Sequence, residues 1–323
     1  TVNPKGVITT FNHAAAAIFG VAVEEAVGQQ YERVLGLQAD PAAPDLIAAV
    51  AAQGDPVLGY EARALVPGRG EVVLLLSIGR VAAETGEYLG VVLVAEDLTE
   101  RRRMERYIAP SVVEHLRAAA AGPRPGGELR EITTLFGDVQ GYSTLSERLS
   151  PEELLELLNT HLALAAGAIM DPRHAGTLDK YIGDAVMGLF NTPHTQPDHA
   201  WRALSAAWAM QTGLRQLHAS FPPDRHLRFR VGVHTGTAVV GNVGAENLVN
   251  FTAIGDAVNV AKRLQETAAV GQVVFSADTF ASLTPEQRAR IQTRPLAALA
   301  LKGRTAEVAA YELLALDVEG GEG

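Results

Sequence analysis

Short apolar runs broken by turn residues dominate the first hundred positions. Gly6-Val7-Ile8-Thr9-Thr10-Phe11 predicts a strand, Ala14 to Phe19 a small-residue helix stopped by Gly20, and Val23 to Gly28 a second helical piece. Two β-rich runs, Glu71 to Val81 and Glu87 to Glu96, flank Glu84-Thr85-Gly86, which suits a hairpin connection. Strands, a helical middle and an antiparallel pair predict a small α+β domain of sensor size over residues 1–98. Beyond it Leu98, Met104, Ile108, Val112 and Leu116 recur at helical spacing, among Arg101, Arg102, Arg103, Glu105 and Arg106. The basic run reads as a solvated helix face, and Pro110 divides the periodicity into two helical pieces. Gly122-Pro123-Arg124-Pro125-Gly126-Gly127 is a linker, so residues 99–127 form a helical connection.

The pattern then changes to longer alternating elements. Ile132 to Phe136 predicts a strand that ends at Gly137-Asp138. A striped helix runs to Met170, with Ser150 as N-cap, Pro151 at its first position and Glu153 closing a capping box. Leu178 to Tyr181 and Ala185 to Phe190 form a hairpin about Gly183-Asp184, and Asp198 to Leu217 a helix. Leu227 to His234 and Thr237 to Val243 read as strand, tight turn, strand. Ala257 to Ala268 reads as a helix capped by Asp256, and Gln272 to Phe275, Leu299 to Leu301 and Val308 to Leu313 as closing strands. A mixed sheet with helices on one side is expected over residues 128–316, with a disordered tail at 317–323.

The chain has 323 residues, enough for about two domains. Its 27 basic and 37 acidic residues give a formal charge of −10, which argues against non-specific nucleic-acid binding. It has no cysteine, which excludes disulfides, thiolate metal sites, cysteine nucleophiles and cysteinyl-flavin photochemistry. No apolar run reads as a membrane span, and the nine histidines show no ligand spacing and read as structural or surface groups. Trp201 and Trp208 read as core or interface.

Candidate chemistry rests on aspartates at strand ends. Asp138 and Asp184 each follow glycine after an apolar strand. Either alone is ordinary turn chemistry, but together they converge if their strands are neighbours, and converging carboxylates suit divalent cations with substrate phosphates. Asn259 and Arg263 stand four apart on one helix and share a face, an exposed polar stripe or a ribose amide one turn from a phosphate-binding guanidinium. The placement of Lys180 relative to Asp184 is left open by the intervening turn, and Lys302 alone is a surface lysine. The glycine-rich run from Val231 to Gly244 lacks the Gly-Lys-Ser/Thr ending of a P-loop.

Four motifs in order carry a resemblance: Phe136 to Ser143, Lys180 to Met187, Arg230 to Gly236, and Phe251 to Leu264. Together they resemble the class III nucleotidyl cyclase catalytic domain, over Glu128 to Leu316. The resemblance implies a ferredoxin-like mixed sheet, a head-to-tail homodimer, and active sites built from both subunits. It implies that Asp138 and Asp184, with the Val139 carbonyl, hold two Mg²⁺ or Mn²⁺ ions. Lys180 and Thr252 fall where the family reads the purine, in an adenine-like combination, so ATP is the implied substrate. Asn259 matches the ribose-positioning residue, Arg263 the transition-state arginine, and Arg230 and Lys302 the triphosphate cations. One chain of the dimer would supply Asp138, Asp184 and Arg230, and the other Lys180, Thr252, Asn259, Arg263 and Lys302. Val139, Tyr142 and Ser143 replace commoner Ile, Phe and Thr, and Lys262 replaces a small residue.

The first domain resembles a PAS sensor through Asn3 to Ile8, Phe11 to Ala15, Ile18 to Gly20, Glu24 to Gly28 and Glu96 to Glu100. A small molecule or signal of unidentified kind is its implied partner. Arg106 to Leu116 resembles the helical transducer before many cyclase domains. The expected protein is a cytoplasmic, PAS-regulated homodimeric adenylate cyclase, or a piece of a longer, membrane-attached chain. Guanylate cyclase and a non-catalytic nucleotide-binding or dimerisation module are the alternatives.

Overall fold

The computed structural model describes residues 1–118, 125–246, 248–298 and 307–317. The chain divides into two compact units, Thr1–Ile108 and Ala109–Gly323. In the first unit four helices, α1 (His13–Phe19), α2 (Val23–Ala26), α3 (Tyr31–Val34) and α4 (Ala43–Gln53), precede three strands. The strands, β1 (Val57–Val66), β2 (Gly70–Ala82) and β3 (Tyr88–Asp97), form an antiparallel sheet in chain order. Asn12 caps α1 by accepting from the Ala15 N–H, and Gly20 ends it in the left-handed region. Phe19 packs with the inward row Leu74, Leu76 and Ile78, all fully buried. Each such side chain contributes about 1.5–3 kcal/mol by leaving water.

The expected strand at Gly6 to Phe11 is reduced to isolated bridges, Val2 with Ile8 and Val7 with Gln30. The Asn3 carboxamide accepts from the Lys5 and Val7 N–H groups, and this local turn takes donors that a ladder would use. An apolar cavity of about 380 Å³ lies within this unit, lined by Phe11, Ile18, Phe19, Leu35 and Leu93 among others. The unit ends in α5 (Thr99–Glu105).

The second unit opens with α6 (Pro110–Ala118), so the helical periodicity does divide at Pro110. Then follow β4 (Gly126–Gln140), α7 (Tyr142–Ser146), α8 (Pro151–Met170), β5 (Thr177–Ile182), β6 (Ala185–Phe190), α9 (His199–His218) and β7 (Arg228–Ala245). The strand order β7-β4-β6-β5, with α8 and α9 as the crossovers, is a ferredoxin-like βαββαβ arrangement. The chain continues through β8 (Leu248–Ile254), α10 (Asp256–Thr267), β9 (Val273–Ser276), α11 (Ala277–Ala281), α12 (Pro285–Ala289), β10 (Ile291–Pro295) and β11 (Ala310–Leu316). β9 adds parallel to β7, which makes the eight-stranded sheet mixed. The architecture is α+β throughout. The expected strand at Leu299 to Leu301, the tail beyond 317 and linker residues 122–124 lie outside the described residues.

The capping box of α8 is present, with Ser150 Oγ accepting from the Glu153 N–H and Glu153 accepting from the Ser150 N–H. A cap of this kind is worth about 1 kcal/mol. By length and composition α8 is apolar enough to cross a membrane, contrary to the sequence reading. Its Leu157, Leu158, Leu162, Ala165 and Ile169 are buried in the core with Ala203, Leu204, Ala207 and Met210 of α9.

The glycine-rich run overturns a second expectation. Residues 228–245 form one continuous strand, without a turn at His234 to Gly236. The glycines serve close approach instead. A Cβ on Gly232 would stand 2.2 Å from the Gln265 backbone nitrogen and 2.4 Å from the Ala261 carbonyl oxygen. α10 therefore lies directly on β7. Gly255, not Asp256, is the N-cap of α10, and Asp256 is its first residue.

β8 pairs with the second half of β7, and its Ala253 packs with Ile132 and Phe136 of β4 and with Met187 and Leu189 of β6. β8 thus covers the sheet face and brings Thr252 over to β5. α6 touches the same two strands. Its Ser111 hydroxyl lies 2.9 Å from that of Thr177 on β5, and the His115 ring packs on Phe251 of β8 with centroids 5.6 Å apart.

Candidate active site

Two clusters form within one chain. The first gathers at the end of β4. Asp138 stands between Arg230 on β7 and Ala185 on β6 in the ladder, so the residue after Gly183 lies beside it. Gly183 takes φ +64°, a left-handed turn that glycine adopts without strain, and this closes the β5–β6 hairpin at Asp184. The Asp138 carboxylate accepts from Arg230 Nη2 at 2.6 Å and from Gln265 Nε2 at 3.2 Å. Burial pushes the Asp184 carboxyl up, and the Asp138 charge adds to it, while Lys262 and Arg230 oppose. Two half-buried carboxylates that repel each other, with Arg230 already on one, are the groups here that could hold a divalent cation. The Val139 side chain is buried beside them.

Gln265 and Lys262 were not legible as site residues. Gln265 is fully buried, and its Oε1 accepts from Lys262 Nζ at 2.8 Å. Lys262 also lies over the Phe136 ring at 5.8 Å. The exception at Lys262 among small residues was the one sequence signal. Asn259 and Arg263 lie one turn apart along α10, with Lys262 beside them and Gln265 further round the helix. Asn259 is exposed and Arg263 half-buried, and neither side chain makes a hydrogen bond or ion pair among the described residues.

The second cluster joins β5 and β8. Lys180 Nζ donates to Thr252 Oγ1 at 3.1 Å, and the Thr252 hydroxyl donates to Asp179 Oδ2 at 2.8 Å. Asp179 also lies 3.3 Å from Lys180 Nζ. Burial raises the Asp179 carboxyl, against the Thr252 hydrogen bond and the Lys180 charge. Lys302 lies outside the described residues.

The buried histidines are spoken for within the fold. His161 and His174 bond the carbonyls of Leu157 and Ala168, His199 pairs with Thr133, and His234 with Ser276. Trp201 and Trp208 pack against the main core.

Comparison with known proteins finds matches to both parts of the chain. The family model for the adenylate and guanylate cyclase catalytic domain matches residues 126–315, and that for the PAS fold matches residues 1–103. Adenylate cyclase 1 of Rhizobium meliloti is 34% identical over 190 residues, which are 57% of this chain and 28% of that protein. The chain thus spans less than a third of the length of that relative. The crystal structure of the adenylyl cyclase CyaB from P. aeruginosa aligns with a TM-score of 0.54 and 31% identity, over 61% of this chain and all of that one. The guanylyl cyclase Cya2 aligns with a TM-score of 0.53 and 30% identity, over 60% of this chain and 96% of that one.

Proposed function

The chain belongs to the adenylate and guanylate cyclase catalytic domain family, and from that premise we propose that it converts ATP to 3′,5′-cyclic AMP and pyrophosphate. It is a phosphorus–oxygen lyase in this reading. The observation that carries it is the pair of neighbouring carboxylates, Asp138 and Asp184, at adjacent strand ends. Two Mg²⁺ or Mn²⁺ ions held by Asp138, Asp184 and the Val139 carbonyl would supply an acidified 3′-hydroxyl and neutralised phosphate charge. The ribose 3′-oxygen attacks the α-phosphorus, its proton leaves, and the bond to the β-phosphate oxygen breaks with loss of pyrophosphate.

The chain's own groups fix the geometry. Arg230 and Lys302 bind the triphosphate, Asn259 orients the ribose, and Lys180 with Thr252 reads the base. Arg263 stabilises charge that grows on the α-phosphoryl oxygens, and loss of such a donor costs about 10²–10³ in rate. The split of α10 supports a shared site. Gln265 donates to the chain's own Asp138 and accepts from Lys262, whereas Asn259 and Arg263, which make no hydrogen bond or ion pair among the described residues, remain for the carboxylates of a second copy. We therefore read the active form as a head-to-tail homodimer, with Asp138, Asp184 and Arg230 from one protomer and Lys180, Thr252, Asn259, Arg263 and Lys302 from its partner.

The remaining parts follow the same reading. Residues 1–98 act as a PAS sensor, 99–127 as a helical transducer and linker, and 128–316 as the catalytic domain, with 317–323 as a tail. The apolar cavity in the first unit is the place for a small sensor ligand. Cytoplasmic ATP is the substrate pool. A guanylate cyclase is the second reading, favoured by the likeness to Cya2 and opposed by the Lys180–Thr252 pair. The test is incubation of the purified chain with Mn²⁺ and equimolar ATP and GTP, beside Asp184→Ala. Cyclic AMP that vanishes in the variant supports the proposal. Cyclic GTP-derived product alone, or no cyclic product from a folded dimer, overturns it.

A further inference from the structure

Asp179 sits where β5 carries one residue too many. Leu178 pairs with Gly188 and Lys180 with Met187, so Asp179 is the bulged residue between them. Its side chain is 1% exposed, and its Oδ1 has no hydrogen-bond partner among the described residues. A buried carboxylate at a bulge, with an unmet oxygen, is costly for the fold and calls for a purpose. Its other oxygen takes the proton of Thr252 and lies near the ammonium of Lys180.

A hydroxyl has one proton and two lone pairs. The Thr252 proton goes to Asp179, and one lone pair receives Lys180. What Thr252 can still offer is a lone pair. Lys180 has three N–H donors and no acceptor, so whatever it offers a ligand is a donor. The cluster therefore presents one acceptor and one donor side by side.

We propose that Asp179 is the residue that fixes this polarity, and so selects a 6-aminopurine nucleotide over a 6-oxopurine one. The inference rests on the reading that the site takes a purine nucleoside triphosphate. With position 6 of the base against Thr252 and N1 against Lys180, adenine meets the pair with its amino donor and its N1 acceptor. A 6-oxopurine puts an oxygen against the Thr252 lone pair and an N–H against the ammonium. Without Asp179 the Thr252 hydroxyl can turn its proton outward and receive that oxygen. Asp179 touches neither base nor phosphate; it is a positioning residue that acts through Thr252.

The experiment compares ATP with inosine triphosphate, which carries the 6-oxo and N1–H pattern without the 2-amino group of GTP. Affinities are read by displacement of a fluorescent nucleotide from the 323-residue chain, and kcat/KM for both nucleotides alongside. Asp179→Leu, which removes the acceptor at similar volume, is expected to lower the ATP-over-inosine preference about tenfold. Asp179→Asn keeps an acceptor oxygen for Thr252 and is expected to retain most of the preference. A folded Asp179→Leu chain whose preference stays within about twofold of wild type, or which loses both nucleotides equally, overturns the proposal. Unfolding of both Asp179→Leu and Asp179→Ala also overturns it, because the carboxylate then serves stability. A wild-type chain that binds both nucleotides but turns over neither sinks the activity reading and leaves this comparison decisive.

Discussion

Gly232→Ala is a single methyl group that tests how the site is held. A Cβ at this position would lie 2.2 Å from the Gln265 nitrogen and 2.4 Å from the Ala261 oxygen, both backbone atoms of α10. Ordinary non-bonded contacts need about 3.5 Å, so the helix and β7 must part by about 1 Å. Backbone on both sides leaves no side chain to swing away. β7 carries Arg230 two residues before the substitution, and α10 carries Asn259, Lys262, Arg263 and Gln265. A displacement of about 1 Å at such groups costs on the order of 10² in rate. Overpacking of this kind destabilises by about 1–3 kcal/mol, which a domain of this size survives. The assay is cyclic AMP formation at saturating ATP and Mn²⁺, with the melting temperature and dimer content measured on the same sample. A folded dimer with kcat within about threefold of wild type would refute the reasoning, since the helix would then have room that the structure denies it.

Other perturbations address separate parts of the site. Asp138→Ala and Arg263→Ala chains, each inactive, should recover about a quarter of wild-type activity when mixed equally, because half the symmetric dimers then hold one whole site of two; no recovery in verified heterodimers counts against shared sites. Gln265→Leu removes a hydrogen bond to Asp138 and should weaken Mn²⁺ binding about tenfold, read by Mn²⁺ electron paramagnetic resonance as well as by activity; unchanged binding would show that Arg230 alone holds the carboxylate. His161 is fully buried, its Nε2 has no hydrogen-bond partner among the described residues, and burial lowers its pKa from the ordinary 6.5. The unfolded chain therefore takes up this proton first as pH falls, so stability is fully present above about pH 6.5 and declines below it. Melting temperature should fall from pH 7 toward pH 5 in wild type and fall less in His161→Leu; parallel profiles would remove His161 as a cause.

Local chemistry was readable along the chain, and close approach was not. The α8 capping box and the hairpin at Gly183 are written in consecutive residues, and both stand as the sequence predicts. β7 misleads because Gly232 and Gly236 look like turn residues, whereas Gly232 makes space for a helix from 24 positions or more downstream. β8 gave no separate signal, since its short run merges with the motif that leads into α10. Asp138 and Asp184 were visible as strand-end aspartates, but their nearness depends on β4 and β6 being neighbours. Asp179 stayed hidden because a bulge shifts the alternation by one, and a polar residue in a strand is ordinarily taken to face water. Gln265 stayed hidden for the helical version of the same reason: a glutamine beside an apolar stripe reads as exposed, and here it is sealed against Asp138.

The footing of α6 has a bearing on control. Ser111 and His115 rest on Thr177 and Phe251, which lie on the two strands that carry Lys180 and Thr252. Phe251 and Thr252 are neighbours in the chain. With Lys180 and Thr252 reading the base as proposed, a twist or slide of this helix would reach the nucleobase before it reached the phosphates. Control exerted by that route would change which nucleotide is held, and how tightly, and would leave the turnover of a bound ATP nearly as it was. Such an enzyme answers its signal most strongly when ATP is scarce and becomes indifferent to it when ATP is abundant.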